Sequence, residues 1–332
     1  MLFPFDSIND AFRGMTFDIL NRGIESSPRD MKTKEIFAPR IEIKDPKKRW
    51  LTSRVRNADI VYGIGEFFWY MSATNELDYI QYYAPSIGKY SDDGKTLNSG
   101  YGFRIFNKWY DQWQNVIEIL TNDPDSRQAI IFIRCPEDGK LDTKDSVCTN
   151  TLQFFIRDNK LIMITNMRSN DLMVGFVYDV FCFTMMQELM ALQLGVELGS
   201  YIHIPNSLHI YEPWFDRANE IVNEDIEDFD LGFMSYSVSS PMKQISTVCS
   251  YEYDIRNNNF NLQNFCSEVI FDFAVSDYWK QIIMLLLFKR FFKKESSVND
   301  SIIKVSIRQY LLQHGNYFFS NYVDRKMESL DG

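Results

Sequence analysis

The sequence has no CxxC pair, no His/Cys cluster at zinc spacing, no long basic tract and no apolar run of membrane-spanning length. Each absence excludes something. The five cysteines (Cys135, Cys148, Cys182, Cys249 and Cys266) are odd in number and far apart, so a metal site is not indicated and a reducing compartment is. Three of them sit in apolar or aromatic surroundings and read as buried hydrophobes. A net charge of −10 without a basic tract argues against direct nucleic-acid binding by phosphate neutralisation. A small anion held by a few converging arginines stays open. The longest pure apolar run, IIMLLLF at 282–288, is far short of a membrane span. The opening MLFPFDSINDAF carries acid where a signal peptide needs base. The expectation is a soluble, cytoplasmic chain with no membrane partner.

What is present suffices for a large core: 45% of the 332 residues are hydrophobic and 15% aromatic, enough for two domains or one domain with an appendage. APRIEIKDP reads as a strand ended by Asp45-Pro46. The arginines at 22, 29, 40, 49, 54 and 56 read as a solvated face, with Arg29 set apart by the anion-suited loop SSPRD. ADIVYGIGEFFWYMSATN (58–75) has helical spacing, and burial preferences put its Glu66 at the polar edge. The alternative is a buried carboxyl with a raised pKa. DDGKTLNSGYGFR (92–104) reads as a loop whose Gly100 and Gly102 let backbone approach a ligand beside Tyr101.

FNKWYDQWQNVIEILTNDPDSRQ (106–128) predicts a helix stopped by Asn-Asp-Pro, then a loop carrying Arg127. AIIFIRC, TLQFFIRD and KLIMITNMR read as strands, with a hairpin turn at Asp158-Asn159. YDVFCFTMMQELMALQLGV (178–196) is apolar nearly all round, hence a buried helix with Gly195 as its C-cap. GSYIHIPNSLHIY reads as a short strand with a proline break. Beyond about residue 220 the chain is acidic, then irregular, then helical over roughly 264–294 and 300–322. The first of those helices ends in KRFFKK, which complements the helix dipole. Residues 1–220 are thus expected to form the catalytic domain, and 221–332 a helical extension packed on the core.

One stretch gathers the chemistry. From Cys148 in VCTNTLQFF it runs through Arg168, Ser169 and Asp171 in MRSND and Asp179 in GFVYDVF to His209 and Tyr211 in LHIYEPW. A nucleophile, a phosphate-sized cation, a carboxylate able to read a base edge and two hydrogen-bonding groups make a nucleotide-modifying site.

DSRQ (125–128), VCT (147–149), RSND (168–171), GFVYD (175–179) and HIPNSLHIY (203–211), with GEFFWYMSATN and SGYG upstream, resemble the thymidylate synthase superfamily, which includes the phage deoxycytidylate hydroxymethylases. The resemblance spans roughly residues 15–215. It implies an α/β fold, a mixed bent β-sheet with helices on one face, and a homodimer formed through the other face. It implies Cys148 as the thiolate that adds to C6 of a pyrimidine and activates C5. Glu66 would be general acid/base, and Arg168 would bind phosphate and lower the thiol's pKa. Arg29 and Ser169 would join Arg168 on the phosphate, and Arg127 would cross from the neighbouring subunit. His209 and Tyr211 would hold the sugar hydroxyl, and Tyr101 would lie against the substrate. Trp69, Asp171 and Gly175 would lie at the folate co-substrate, 5,10-methylenetetrahydrofolate.

Four departures from the synthase pattern matter. Asp179 stands where synthases have asparagine. An ionised aspartate only accepts hydrogen bonds, so it suits the exocyclic amine of cytosine and repels O4 of uracil. Gly88 stands where a synthase tryptophan would align, leaving open space for water. Threonine at 149 replaces a common histidine, and the short apolar C-terminus of synthases is not seen. These point to water rather than hydride finishing the reaction: a dCMP 5-hydroxymethyltransferase, with CMP as alternative substrate and reductive methylation as alternative outcome.

Overall fold

The computed structural model describes residues 2–139, 142–237, 239–259, 273–292 and 298–331, which fall into two compact units, Met1–Gly232 and Phe233–Gly332. The first unit opens with β1 (Leu2–Phe5), α1 (Ile8–Arg22), β2 (Ile24–Ser26), β3 (Thr33–Phe37) and β4 (Arg40–Ile43). Ser7 caps α1 by accepting from the Asp10 N–H. Helices α2 (Ile60–Met71), α3 (Leu77–Tyr83), α4 (Tyr101–Phe106) and α5 (Gln112–Asn122) follow, then β5 (Ile130–Phe132), β6 (Thr149–Arg157), β7 (Lys160–Met167) and β8 (Asn170–Asp171). Helix α6 (Gly175–Leu194), β9 (Glu197–Pro205), β10 (Ser207–Tyr211) and α7 (Phe215–Val222) complete it.

Among the described residues there are two sheets. One has the order β1-β4-β9-β7-β6-β5 and the other β2-β3-β10-β8. The larger is mixed: β7 and β9 run parallel, while β6–β7 and β4–β9 are antiparallel. Asp158 and Asn159 take positive φ, 50° and 58°, as a two-residue hairpin between β6 and β7 requires. Along β7, Leu161, Met163 and Met167 are fully buried on one face, against α6. Two register shifts interrupt the sheet, one in β6 between Thr149 and Thr151, the other between Leu161 and Met163 in the β7–β9 pairing. Such bulges bend strands and re-aim side chains near sites. The buried Gln187 of α6 donates to the carbonyls of Leu161, Gly199 and Ser200 at 2.8–3.2 Å, satisfying groups the second bulge frees. Gly195 closes α6 at φ 68°, the left-handed cap that glycine adopts at no steric cost.

Several expectations are corrected. Tyr101 is the first residue of a helix rather than part of a loop. A Cβ on Gly102 would sit 2.2 Å from the Tyr70 carbonyl oxygen, so this glycine lets α4 pack on α2 instead of admitting a ligand. The helix expected from residue 106 starts at Gln112, where Asp111 caps it by accepting from the Gln114 N–H. Arg49 is fully buried in an ion pair with Glu188 at 2.5 Å, not solvated.

The second unit contains α8 (Pro241–Arg256), α9 (Asp277–Phe291), α10 (Val298–Gln313) and α11 (Tyr317–Asp331). Sequence reading missed α8 in an apparently irregular stretch, although Ser240 as N-cap and Pro241 at the first turn mark it. The helix expected over 300–322 is two helices, separated at Gly315 with φ 70°. The expected helix start at 264, Cys266 and the lysines at 293 and 294 lie outside the described residues. No described helix is long and apolar enough to cross a membrane.

Candidate active site

Cys148 immediately precedes β6, beside the end of β7, where the Arg168 N–H donates to the Cys148 carbonyl at 2.8 Å. The Arg168 guanidinium is spread over four groups. Nε donates to the Val147 carbonyl at 2.8 Å, Nη2 to the Ser146 carbonyl at 3.0 Å and to the Cys148 Sγ at 3.3 Å, and Nη1 to the Ser169 Oγ at 3.1 Å. Among the described residues it has no carboxylate within ion-pair distance, so its charge is available to an anion. Arg168 pulls the Cys148 thiol pKa down, as expected, but burial pushes it up by more and Asp179 adds to the rise, so the thiol stands above its ordinary value.

Tyr101 packs on the same segment. Its hydroxyl accepts from the Thr149 N–H at 3.3 Å and the Thr149 Oγ1 at 3.0 Å, which occupies both lone pairs and leaves the phenolic proton to donate elsewhere. Its ring stacks near-parallel on Phe183 at 6.2 Å. Burial, then the charges of Asp179 and Cys148, raises its pKa.

Glu66, on α2, is held by two groups that sequence reading did not single out. The Tyr62 hydroxyl donates to Oε1 at 2.9 Å and the Cys182 thiol to Oε2 at 3.7 Å. Tyr62 lies four residues before Glu66 on the same helix face, and Cys182 lies three after Asp179 on α6, so helical spacing was the available signal. Burial pushes Glu66 up to about 7, against the hydrogen bonds from Tyr62, Cys182 and Tyr70. The raised-pKa alternative holds rather than the solvated-edge reading. Asp179 is pushed up to about 8, by burial first and by Glu66 second, with the Asn170 hydrogen bond opposing. Two neighbouring carboxyls in a desolvated space disfavour a second negative charge.

Asp171 and His209 are neighbours across the β8–β10 pairing, which is parallel and sets Leu208 opposite Asn170 and His209 opposite Asp171. Asp171 Oδ1 accepts from the N–H groups of Met173 and Val174 at 2.8 and 3.2 Å, turning the chain into α6. Burial raises the Asp171 pKa and lowers that of His209, each partly offset by the other. Tyr211 meets His209 edge-on at 5.0 Å. Gly175 has a steric role: a Cβ there would lie 2.9 Å from Asn170 Nδ2 and 3.3 Å from Asp179 Oδ2.

The remaining expected residues make no described hydrogen bond or ion pair with this cluster. Arg29 is exposed at φ 53° on the turn Pro28–Asp30. Arg127 is exposed between α5 and β5, its carbonyl accepting from Gln153 at 3.0 Å. Trp69 is 2% exposed and faces the core, its indole N–H without a hydrogen-bond partner among the described residues. A Cβ at Gly88 would meet the Gln81 amide nitrogen at 2.8 Å, the end of an exposed and flexible side chain that can move aside. Arg56, read earlier as solvated, donates to the Met173 carbonyl and lies over the Trp214 ring at 5.3 Å. No described group of three or more His, Cys, Asp or Glu side chains is arranged to hold a metal.

The fold is that of a known class. Thermostable thymidylate synthase A from Bacillus subtilis superimposes with a TM-score of 0.59 over 67% of this chain and 86% of its own, at 21% identity. The thymidylate synthase family profile matches residues 10–276, and the chain belongs to that family. The match extends beyond residue 215, where the motif resemblance ends. Two phage proteins, each named deoxyuridylate hydroxymethyltransferase, are similar. That of Bacillus phage SP01 is 34% identical over 224 residues, 63% of this chain and 57% of its own. That of Delftia phage PhiW-14 is 29% identical over 202 residues, 56% and 55%. The chain thus spans a little over half the length of these relatives.

Proposed function

We propose that this protein hydroxymethylates C5 of a cytosine nucleotide, taking dCMP, 5,10-methylenetetrahydrofolate and water to 5-hydroxymethyl-dCMP and tetrahydrofolate. The observation that carries the substrate is Asp179. In both of its charge states a carboxyl accepts from the exocyclic amine of cytosine. It tolerates O4 of uracil only when protonated. Near pH 8 the neutral form also holds a proton for N3 as the Cys148 thiolate adds to C6, neutralising the charge that addition creates.

The chain's other residues take these parts. Arg168 and Ser169 bind the phosphate, joined by Arg29 and by Arg127 of a second subunit in a homodimer. His209 and Tyr211 hold the sugar. Tyr101 directs its free proton at the reacting face. Glu66, poised near neutrality, orients water and moves its protons at C5. Asp171, with Oδ1 committed to backbone N–H groups, offers its second oxygen to a ring N–H of the folate, so the donor set fits that co-substrate. The folate supplies the one-carbon unit. Thr149 and the phage relatives' names favour water over hydride as the nucleophile that completes the reaction at the C5 substituent. Residues 1–220 act as the catalytic domain and 221–332 as its helical extension.

A second reading, dUMP as substrate, is favoured by those names and by a neutral Asp179. Incubating dCMP, CMP and dUMP separately with methylenetetrahydrofolate and reading product masses separates the two. A gain of one hydroxymethyl group on dCMP is expected. Product from dUMP alone removes the cytosine reading, and dihydrofolate formation with a methyl gain removes hydroxymethylation.

A further inference from the structure

A carboxyl is an ambiguous reader of bases. Cytosine presents an amine donor at C4 and an acceptor at N3, and uracil presents the reverse. A neutral carboxyl has one donor and one acceptor oxygen and can offer them in either order. Discrimination by Asp179 therefore needs something that fixes which oxygen is which.

The structure contains such a device behind Asp179. Asn170 Nδ2 donates to Asp179 Oδ2 at 2.7 Å, Asn170 Oδ1 meets His203 Nε2 at 3.0 Å, and His203 Nδ1 meets the Tyr201 hydroxyl at 2.9 Å. Tyr201 and His203 are fully buried and Asn170 is 4% exposed, while Asp179 alone in the chain of contacts is partly accessible. Tyr201 and His203 are two apart on β9, so they share a face of the sheet, and β8–β10 pairing holds Asn170. Burial keeps His203 neutral, its pKa lowered to about 3, so it has one N–H to place. With that proton on Nε2 it donates to Asn170 Oδ1, and Tyr201 donates to Nδ1. The Asn170 amide is then oriented N–H towards Asp179. Gly175 adds an independent sign that this bond is built in, since its missing Cβ makes the room the Asn170–Asp179 contact occupies.

We propose that Tyr201, His203 and Asn170 are positioning residues that set base specificity. They fix Asp179 Oδ2 as an acceptor and leave any proton to Oδ1; with Oδ2 turned to the C4 substituent and Oδ1 to N3, a carboxyl able to read either base reads cytosine. An oxygen already accepting from an amide is the poorer seat for a proton, which gives the two oxygens different roles before substrate arrives. This rests on Asp179 being the group that reads the base.

Two measurements test it. The first is the ratio of kcat/KM for dCMP to that for dUMP in the full chain. Asn170→Ala removes the donor, and Tyr201→Phe keeps the ring but frees the His203 tautomer. Both are expected to lower the ratio at least tenfold, by raising relative use of dUMP. A merely structural role lowers both substrates together and leaves the ratio unchanged, which overturns the proposal. Asp179→Asn is the control. If it leaves the ratio unchanged, the base-reading role itself fails. If it moves the ratio while the other two do not, only the positioning role fails. The second needs no variant: the chain has three histidines, and 15N spectra of labelled histidine report each tautomer. His203 is expected as the Nε2–H form, and the Nδ1–H form overturns the proposal.

Discussion

Arg168 Nη2 lies 3.3 Å from the Cys148 sulfur, and the same guanidinium binds the two carbonyls just before it in the chain. One side chain thus fixes the loop that carries the thiol and places positive charge beside it. Burial nonetheless leaves the thiol above its ordinary pKa. Arg168→Gln should move the pH midpoint of Cys148 alkylation by iodoacetamide upwards. It should also slow alkylation at neutral pH by about tenfold, since thiolate is the reacting form. An unchanged profile contradicts this electrostatic role. Cys148→Ser should abolish turnover and leave nucleotide binding, measurable by calorimetry.

Asp179→Asn should favour dUMP over dCMP by roughly 10⁴ relative to the parent, the scale set by an unpaired buried hydrogen-bonding group. The parent's own selectivity should also depend on pH. Asp179 is pushed up to about 8, so its ionised, acceptor-only form grows as pH rises through that value. The dCMP-to-dUMP ratio of kcat/KM should therefore increase from pH 7 to pH 9, and in Asp179→Asn that rise should vanish.

Glu66 offers a paired test with opposite signs. Tyr62→Phe removes a donor to the carboxylate. A hydrogen bond to a charged group is worth about 1.5–3 kcal/mol, so the Glu66-dependent limb of kcat/KM should move up by about 1–2 pH units. Cys182→Ser puts a stronger donor at Oε2 and should move the same limb down. Shifts in one direction for both variants would contradict the cradle described for Glu66.

Gly175→Ala should reduce kcat/KM for dCMP by about tenfold or more, because the new methyl group would meet Asn170 and Asp179. At an unconstrained position this change is neutral or stabilising by about 0.4–1 kcal/mol. Activity loss with a Tm that fails to rise is the expected signature, and full activity would contradict the steric reading.

Stability should respond most where charge is buried. Arg104 and Asp138 form a bidentate pair, both bonds 2.7 Å, with both side chains almost fully enclosed. Asp138→Ala leaves the guanidinium without its counter-charge and should cost about 3–5 kcal/mol in urea unfolding. A loss below about 1 kcal/mol would mean that the remaining carbonyl partners of Arg104 suffice.

The sequence by itself determined the local structure wherever one residue type carries the instruction. Asp158-Asn159 turned the hairpin, Gly195 stopped α6, and the all-round apolar character of α6 put it in the core. Ordered motifs from Cys148 to Tyr211 were enough to place the chain in its family. Only the tertiary structure decided what depends on partners distant in sequence. That Arg49 and Arg104 are buried follows from Glu188 and Asp138, which no local pattern pairs with them. That Gly102 serves packing follows from the Tyr70 backbone. The net rise of the Cys148 pKa and the closeness of Glu66 to Asp179 are sums over burial and charge from several strands and helices. Asn170 and His203 were both visible within the motifs, but their link to Asp179 exists only because β8, β9 and the start of α6 converge. Hydrogen bonds between elements are set by where those elements meet, and that is a property of the fold.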